Sequence, residues 1–162
     1  MFYGLTWLGT VHVAISLVAV VAGLIALLRD RQITPDNGVG KLYVSATVLT
    51  CMTGFGIFQH GGFGKPHALG VITLAVLALA YVAGRGSVFF GRWSKIVEVV
   101  GYSATFLFHW IPAITETSTR LPLGAPLLAS PDAPELAKAT AVLVLLFLIG
   151  ATLQVLRLRK QR

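Results

Sequence analysis

The chain has one cysteine and six acidic residues among its 162. A lone cysteine, Cys51, excludes an intramolecular disulfide, and with it a small secreted scaffold held by bridges. Charged residues make up only 12% of the sequence, about half the usual share in a soluble domain. That shortage, beside 56% hydrophobic residues and a mean hydropathy of +0.80, excludes a disordered chain and an ordinary nucleic-acid-binding module. The sequence shows no internal repeat and no sign of a second domain. Compact chemical motifs are missing too. No two histidines are spaced His-x-x-x-His, and no Cys-x-x-Cys-His marks covalent haem. Ser16, Ser45 and Ser103 lack a base and an orienting acid at a defined spacing. The GGFGK stretch at 61–65 lacks the spacing and the Lys-Ser/Thr pair of a phosphate loop.

What the sequence does have is long apolar runs. A membrane-crossing helix needs about 20 mostly apolar residues. Five segments qualify: 5–28, 42–58, 67–84, 96–115 and 139–156, the second being short. They predict an all-α integral membrane bundle, one domain over 1–162 with five transmembrane helices. The first run has no basic residue before it and no evident small-residue cleavage site, so it reads as a retained helix rather than a signal peptide. Pro35-Asp36-Asn37-Gly38 and the glycines at 61–64 before Pro66 punctuate the runs as turns. Residues 85–95 form a further link. The link at 116–138 holds four prolines and cannot be one regular helix. The fifth run has almost no polar face and is expected to pack outside a four-helix core.

The net charge of +7 first reads as topology. Ten basic residues fall in the first loop, the third loop and the C-terminal tail, and three on the other side. With five spans this puts the N-terminus outside and the C-terminus inside. Phe2, Tyr3, Trp7, Phe63 and Trp110 would mark the outer interface, and Tyr43, Phe89, Phe90 and Trp93 the inner one. The expected partners are the lipid bilayer with its anionic headgroups, a membrane protein or a second copy of the chain, and no nucleic acid.

All four histidines then fall toward the outer face. His12 lies about 10 Å below the outer end of the first span, at about 1.5 Å per residue. His109 lies about as deep in the fourth, by the same rise. His60 and His67 flank the turn between the second and third. Ionisable groups at membrane depth are costly and face the bundle interior. Helical spacing supports shared polar faces: Gly9, His12, Ser16 and Gly23 in the first span, and Thr47, Thr50, Cys51 and Gly54 in the second. The clearest runs through Glu98, Tyr102, Thr105, His109, Pro112 and Glu116 in the fourth. Pro112 predicts a kink and a free carbonyl beside His109.

Imidazole ligates transition metals and haem. One expectation is a zinc or copper site drawn from His12, His60, His67, His109 and Glu116. Another is haem b between His12 and His109, with Gly9 making room. A third is that the histidines bind no cofactor and hydrogen-bond helices together. Glu98 beside Arg92 and Lys95 reads first as an interfacial ion pair, with a proton route from Glu98 through Tyr102 to His109 as the alternative, and Glu116 with Arg120 as a surface pair.

Gly40-Lys41-Leu42-Tyr43-Val44, the stretch 54–64, and His67-Ala68-Leu69-Gly70-Val71-Ile72-Thr73-Leu74 resemble a family of small bacterial inner-membrane proteins classed only as a domain of unknown function. The family pattern has a first-helix histidine followed by small residues, a Gly-Lys/Arg-x-Tyr-Val start to the second helix, and a Gly-Phe-Gly turn leading to a histidine. His12, 40–44 and 62–67 match it. Many members carry a further histidine before the second helix, where this chain has Pro35-Asp36-Asn37-Gly38. The resemblance covers most of 9–122. It implies a helical protein of the bacterial inner membrane and no particular activity.

Overall fold

The computed structural model describes residues 6–58, 62–86 and 88–161. His60 and the outermost residues used above, Phe2, Tyr3 and Arg162, lie outside them. Five α-helices follow one another: α1 (Trp7–Asp30), α2 (Gly38–Gly54), α3 (Lys65–Gly84), α4 (Ser94–Arg120) and α5 (Pro134–Lys160), with one turn of 3-10 helix (Gly91–Trp93) leading into α4. No strand occurs among the described residues.

Each boundary has a local cause. Thr6 caps α1 by accepting from the Gly9 amide, and Asn37 caps α2 by accepting from the Gly40 amide at 2.9 Å. That cap starts α2 at Gly38, earlier than the apolar run alone suggests. Its end at Gly54 is also earlier, because Gly54 and Gly56 interrupt the run beyond it. α4 continues past the expected end at Thr115 to Arg120 and runs through Pro112 without a break in the helix. Pro134 opens α5 from its first turn. The long link therefore shrinks to residues 121–133.

Helices α1, α3, α4 and α5 are long and apolar enough to cross a membrane. α2, at 17 residues, is about 25 Å long by its rise and sits at the lower limit for a span of about 17 residues. The packing is inverted relative to a soluble bundle. Leu17, Val21, Leu24, Ile25 and Leu28 of α1 and Leu145, Leu146, Ile149 and Leu153 of α5 face outward. The interior is built from Ala19, Ala22, Ala26, Ala46 and Ala80, with Tyr43, Leu77 and Tyr102 filling between them. Small residues let helix backbones approach where the surrounding solvent is itself apolar. Gly101 illustrates the closeness, since a Cβ there would lie 2.9 Å from the Ala80 Cβ on α3.

The α1–α2 and α3–α4 hairpins pack side by side, with α2 on α3 and α1 on α4. α5 packs on α4 alone among the helices, outside the four-helix core. Its central polar tie is Gln154, which accepts from the Ser103 hydroxyl at 3.0 Å and donates to the Arg31 carbonyl at 3.0 Å. The α1–α2 turn is folded tightly inward. Ile33 and Thr34 are buried, and Asn37 donates to the Asp30 carboxylate at 3.1 Å.

Candidate functional site

The polar stripe of α4 turns into the bundle. Glu98, Tyr102, Thr105 and His109 are all buried. Glu116, one to two turns further on, is exposed and paired with Arg120. The stripe meets the polar face of α2 across the diagonal of the four-helix core. Tyr43 Oη and Thr105 Oγ1 are 2.7 Å apart, and Thr47 Oγ1 lies 3.0 Å from His109 Nε2. No close backbone approach joins α2 to α4, so the diagonal is bridged by side chains, in each case a ring reaching a threonine. Tyr43 corrects its reading as an inner-interface aromatic: it is fully buried and hydrogen-bonded in the core. The spacing of Tyr43, Thr47 and Thr50 on one helical face was the signal for this.

Proton counting fixes the direction of these bonds. The Thr47 hydroxyl has one proton and donates it to the Tyr43 carbonyl at 2.8 Å. Its oxygen then accepts the Nε2–H of His109, and a neutral ring keeps its lone pair on Nδ1. His12 behaves the same way. Thr53 Oγ1 donates to the carbonyl of Leu49 at 2.8 Å or Thr50 at 3.0 Å. It accepts from His12 Nδ1 at 3.1 Å, leaving the lone pair on Nε2. Both histidines are thus oriented by a threonine of α2 and keep one basic nitrogen each.

Small residues make this approach feasible. A Cβ on Gly54 would sit 3.2 Å from His12 Cε1, and one on Gly23 2.6 Å from the Phe106 ring. Phe106 itself packs beside Tyr43 and Trp110, with ring centroids 6.4 and 6.2 Å away.

His67 is set apart. Its Nδ1 accepts from the Gly64 amide at 3.2 Å, so its lone pair closes the first turn of α3. The ring is stacked between Phe58 and Phe63, with centroids 5.0 and 5.3 Å away, and its Nε2 has no hydrogen-bond partner. Among the described residues, no three His, Cys, Asp or Glu side chains gather closely enough to hold one metal ion. Cys51 is buried on α2. At the other end of the stripe, Glu98 takes an ion pair from Lys95 at 2.7 Å. It packs so tightly on Gly84 that a Cβ there would lie 2.7 Å from its carboxylate. The Tyr102 hydroxyl is buried without a partner, so no continuous hydrogen-bonded route links Glu98 to His109 through it.

Comparison with known protein families, with characterised proteins and with solved structures finds no match.

Proposed function

We propose that the protein is a five-span protein of the bacterial inner membrane, N-terminus outside. On this reading His12 and His109 bind a transition-metal ion, zinc or copper, in its outer half. The carrying observation is the pairing of each imidazole with a threonine of α2. Each imidazole gives one N–H to a threonine of α2 and keeps the lone pair of the other nitrogen. Metal-binding histidines are held in this way, with the second nitrogen donating to an outer oxygen that fixes the tautomer. Glu116, paired with Arg120, does not gather with the two imidazoles closely enough to be a third ligand. Haem b at the same pair needs the thickness of a porphyrin between α1 and α4, which pack directly here. An ion needs no such gap. The charge count supports the orientation, since the basic loops lie at the end away from these histidines.

The second reading is an accessory membrane protein, without chemistry of its own, whose histidines join helices. The same two threonine bonds favour it, because each ties an imidazole of α1 or α4 to α2. Elemental analysis of the untagged protein in mild detergent separates the two. The metal reading expects near-stoichiometric zinc or copper, lost in His12→Ala and in His109→Ala while helicity persists. Iron with a haem absorption spectrum would select haem b. Folded, chelator-free protein without metal would leave the accessory reading. A C-terminal reporter fusion active only in the cytoplasm is expected from the orientation.

A further inference from the structure

The end of the bundle opposite the histidines holds a second polar arrangement. Between the α1–α2 turn and the last turns of α5 lies a cavity of about 130 Å³, lined by Arg31, Gln32, Gln154, Arg157 and Gln161, with Val99 and Leu158 as its apolar wall. No carboxylate lines it. The Asp30 carboxylate beside it in sequence is already engaged by Arg29 at 2.8 Å and by Asn37 at 3.1 Å. A second cavity, about 430 Å³, shares Arg157 and Gln161 with the first and is otherwise lined by Leu153, Leu156 and Lys160. Leu153 and Leu156 belong to the outward apolar face of α5. A cationic, amide-rich recess thus opens directly onto an apolar groove, at the end of the bundle where the basic tail begins.

We propose that the two cavities together bind one anionic phospholipid, its phosphate between Arg31 and Arg157 and its acyl chains along Leu153 and Leu156. Guanidinium groups match phosphate oxygens in pairs of hydrogen bonds, and an acyl chain suits the leucine groove. The recess is built in advance, because Gln154 is fixed between Ser103 and the Arg31 carbonyl. Its remaining amide proton and those of Gln32 and Gln161 supply neutral donors. The C-termini of α1 and α5 oppose an anion here with about half a charge each. Two guanidiniums and the Lys160 ammonium outweigh them. Capping of carbonyls accounts for Arg157, which donates to the Asp30 carbonyl at 3.5 Å. It does not account for Arg31, whose side chain makes no hydrogen bond or ion pair among the described residues. The inference shares the membrane reading with the proposal above and is independent of the histidines.

The test uses the full chain in mild detergent, titrated with dioleoylphosphatidylglycerol, dioleoylphosphatidylcholine or inorganic phosphate. Native mass spectrometry reads retained lipid, and the melting temperature reads stabilisation. The phosphatidylglycerol is expected to stay bound and to raise Tm, and the other two to do neither. Arg31 is in the left-handed conformation with φ 63°, which glycine adopts freely. Arg31→Gly therefore removes the charge and keeps the turn. Combined with Arg157→Gln it is expected to weaken phosphatidylglycerol binding about 30-fold. Arg159→Gln and Lys41→Gln, basic residues that do not line the recess, are expected to leave it unchanged. Equal retention of phosphatidylcholine would overturn the proposal, as would equal losses in the control variants. Inorganic phosphate that displaces the lipid at similar concentration would overturn it as well.

Discussion

Single residues hold the tightest constraints in this fold. Gly40 packs against the turn that precedes it, and a Cβ would lie 1.7 Å from the Thr34 carbonyl oxygen. Backbone cannot yield there as a flexible side chain would. Gly40→Ala is expected to lower stability by at least about 3 kcal/mol in a thermal melt, at the upper end of overpacking costs. Gly38, two residues earlier, meets nothing within 4 Å, and Gly38→Ala is expected to be neutral or to stabilise by up to about 1 kcal/mol. Thr47→Val keeps the shape of the side chain and removes the oxygen that accepts from His109. It is expected to cost about 0.6–2 kcal/mol of stability, and on the metal reading to weaken metal binding about 10–100-fold. An equal loss of stability with unchanged metal content would separate the threonine from the site. Spacing along a single helix is legible in the sequence. The interior placement of Glu98, Tyr102, Thr105 and His109 follows from one helical stripe. Tyr43 was misplaced because tyrosine suits a membrane interface as well as a core, and its partner Thr105 lies 62 residues away.

At the scale of elements, apolar runs and punctuation locate all five helices, because length and hydropathy are local properties. Their ends shift where a cap or a proline acts, as at Asn37 and Pro134. Which helices face one another is a different kind of information. The outward faces are uniformly apolar and carry no address, so the α2–α4 diagonal had no signature in the sequence. The peripheral place of α5 did, through its lack of a polar face. Its one anchoring amide makes it the most separable helix. Gln154→Leu removes the bonds to Ser103 and to the Arg31 carbonyl. It is expected to raise amide exchange in α5 before any other helix, at a cost of about 1–2 kcal/mol. The link between α4 and α5 has its own tie, Lys65 with Asp132 at 2.9 Å. The Lys65 ammonium bonds Asp132 and holds its carboxyl below the ordinary value, and Asp132 in turn holds the Lys65 ammonium above its own. A depressed acid contributes stability above its ordinary pKa and loses it as pH falls through the depressed one. A raised base contributes below its ordinary pKa and loses it above the raised one. The tie is therefore complete at neutral pH. Amide exchange across 121–133 is expected to be flat from pH 6 to 9 after correction for intrinsic rate, and faster below about pH 4. Both groups are fully exposed, so high salt is expected to shrink the effect.

For the whole molecule, the polar groups divide between two ends. His12 and His109 lie toward one, and the recess of Arg31 and Arg157 toward the other. The two are joined by a core of alanines and two tyrosines rather than by a continuous chain of hydrogen bonds. Changes at the lipid recess are accordingly expected to leave metal content untouched, and removal of either histidine to leave phosphatidylglycerol binding untouched. The diagonal bonds of α2 and α4 also imply an order of events during synthesis. The α1–α2 and α3–α4 hairpins join neighbours in the sequence, so each can close as soon as its second helix leaves the ribosome. Tyr43 and Thr47 cannot meet Thr105 and His109 until 62 further residues have been made. The first hairpin must therefore wait with one tyrosine and one threonine unsealed. The arrival of α4 is the step that latches the two halves into one protein.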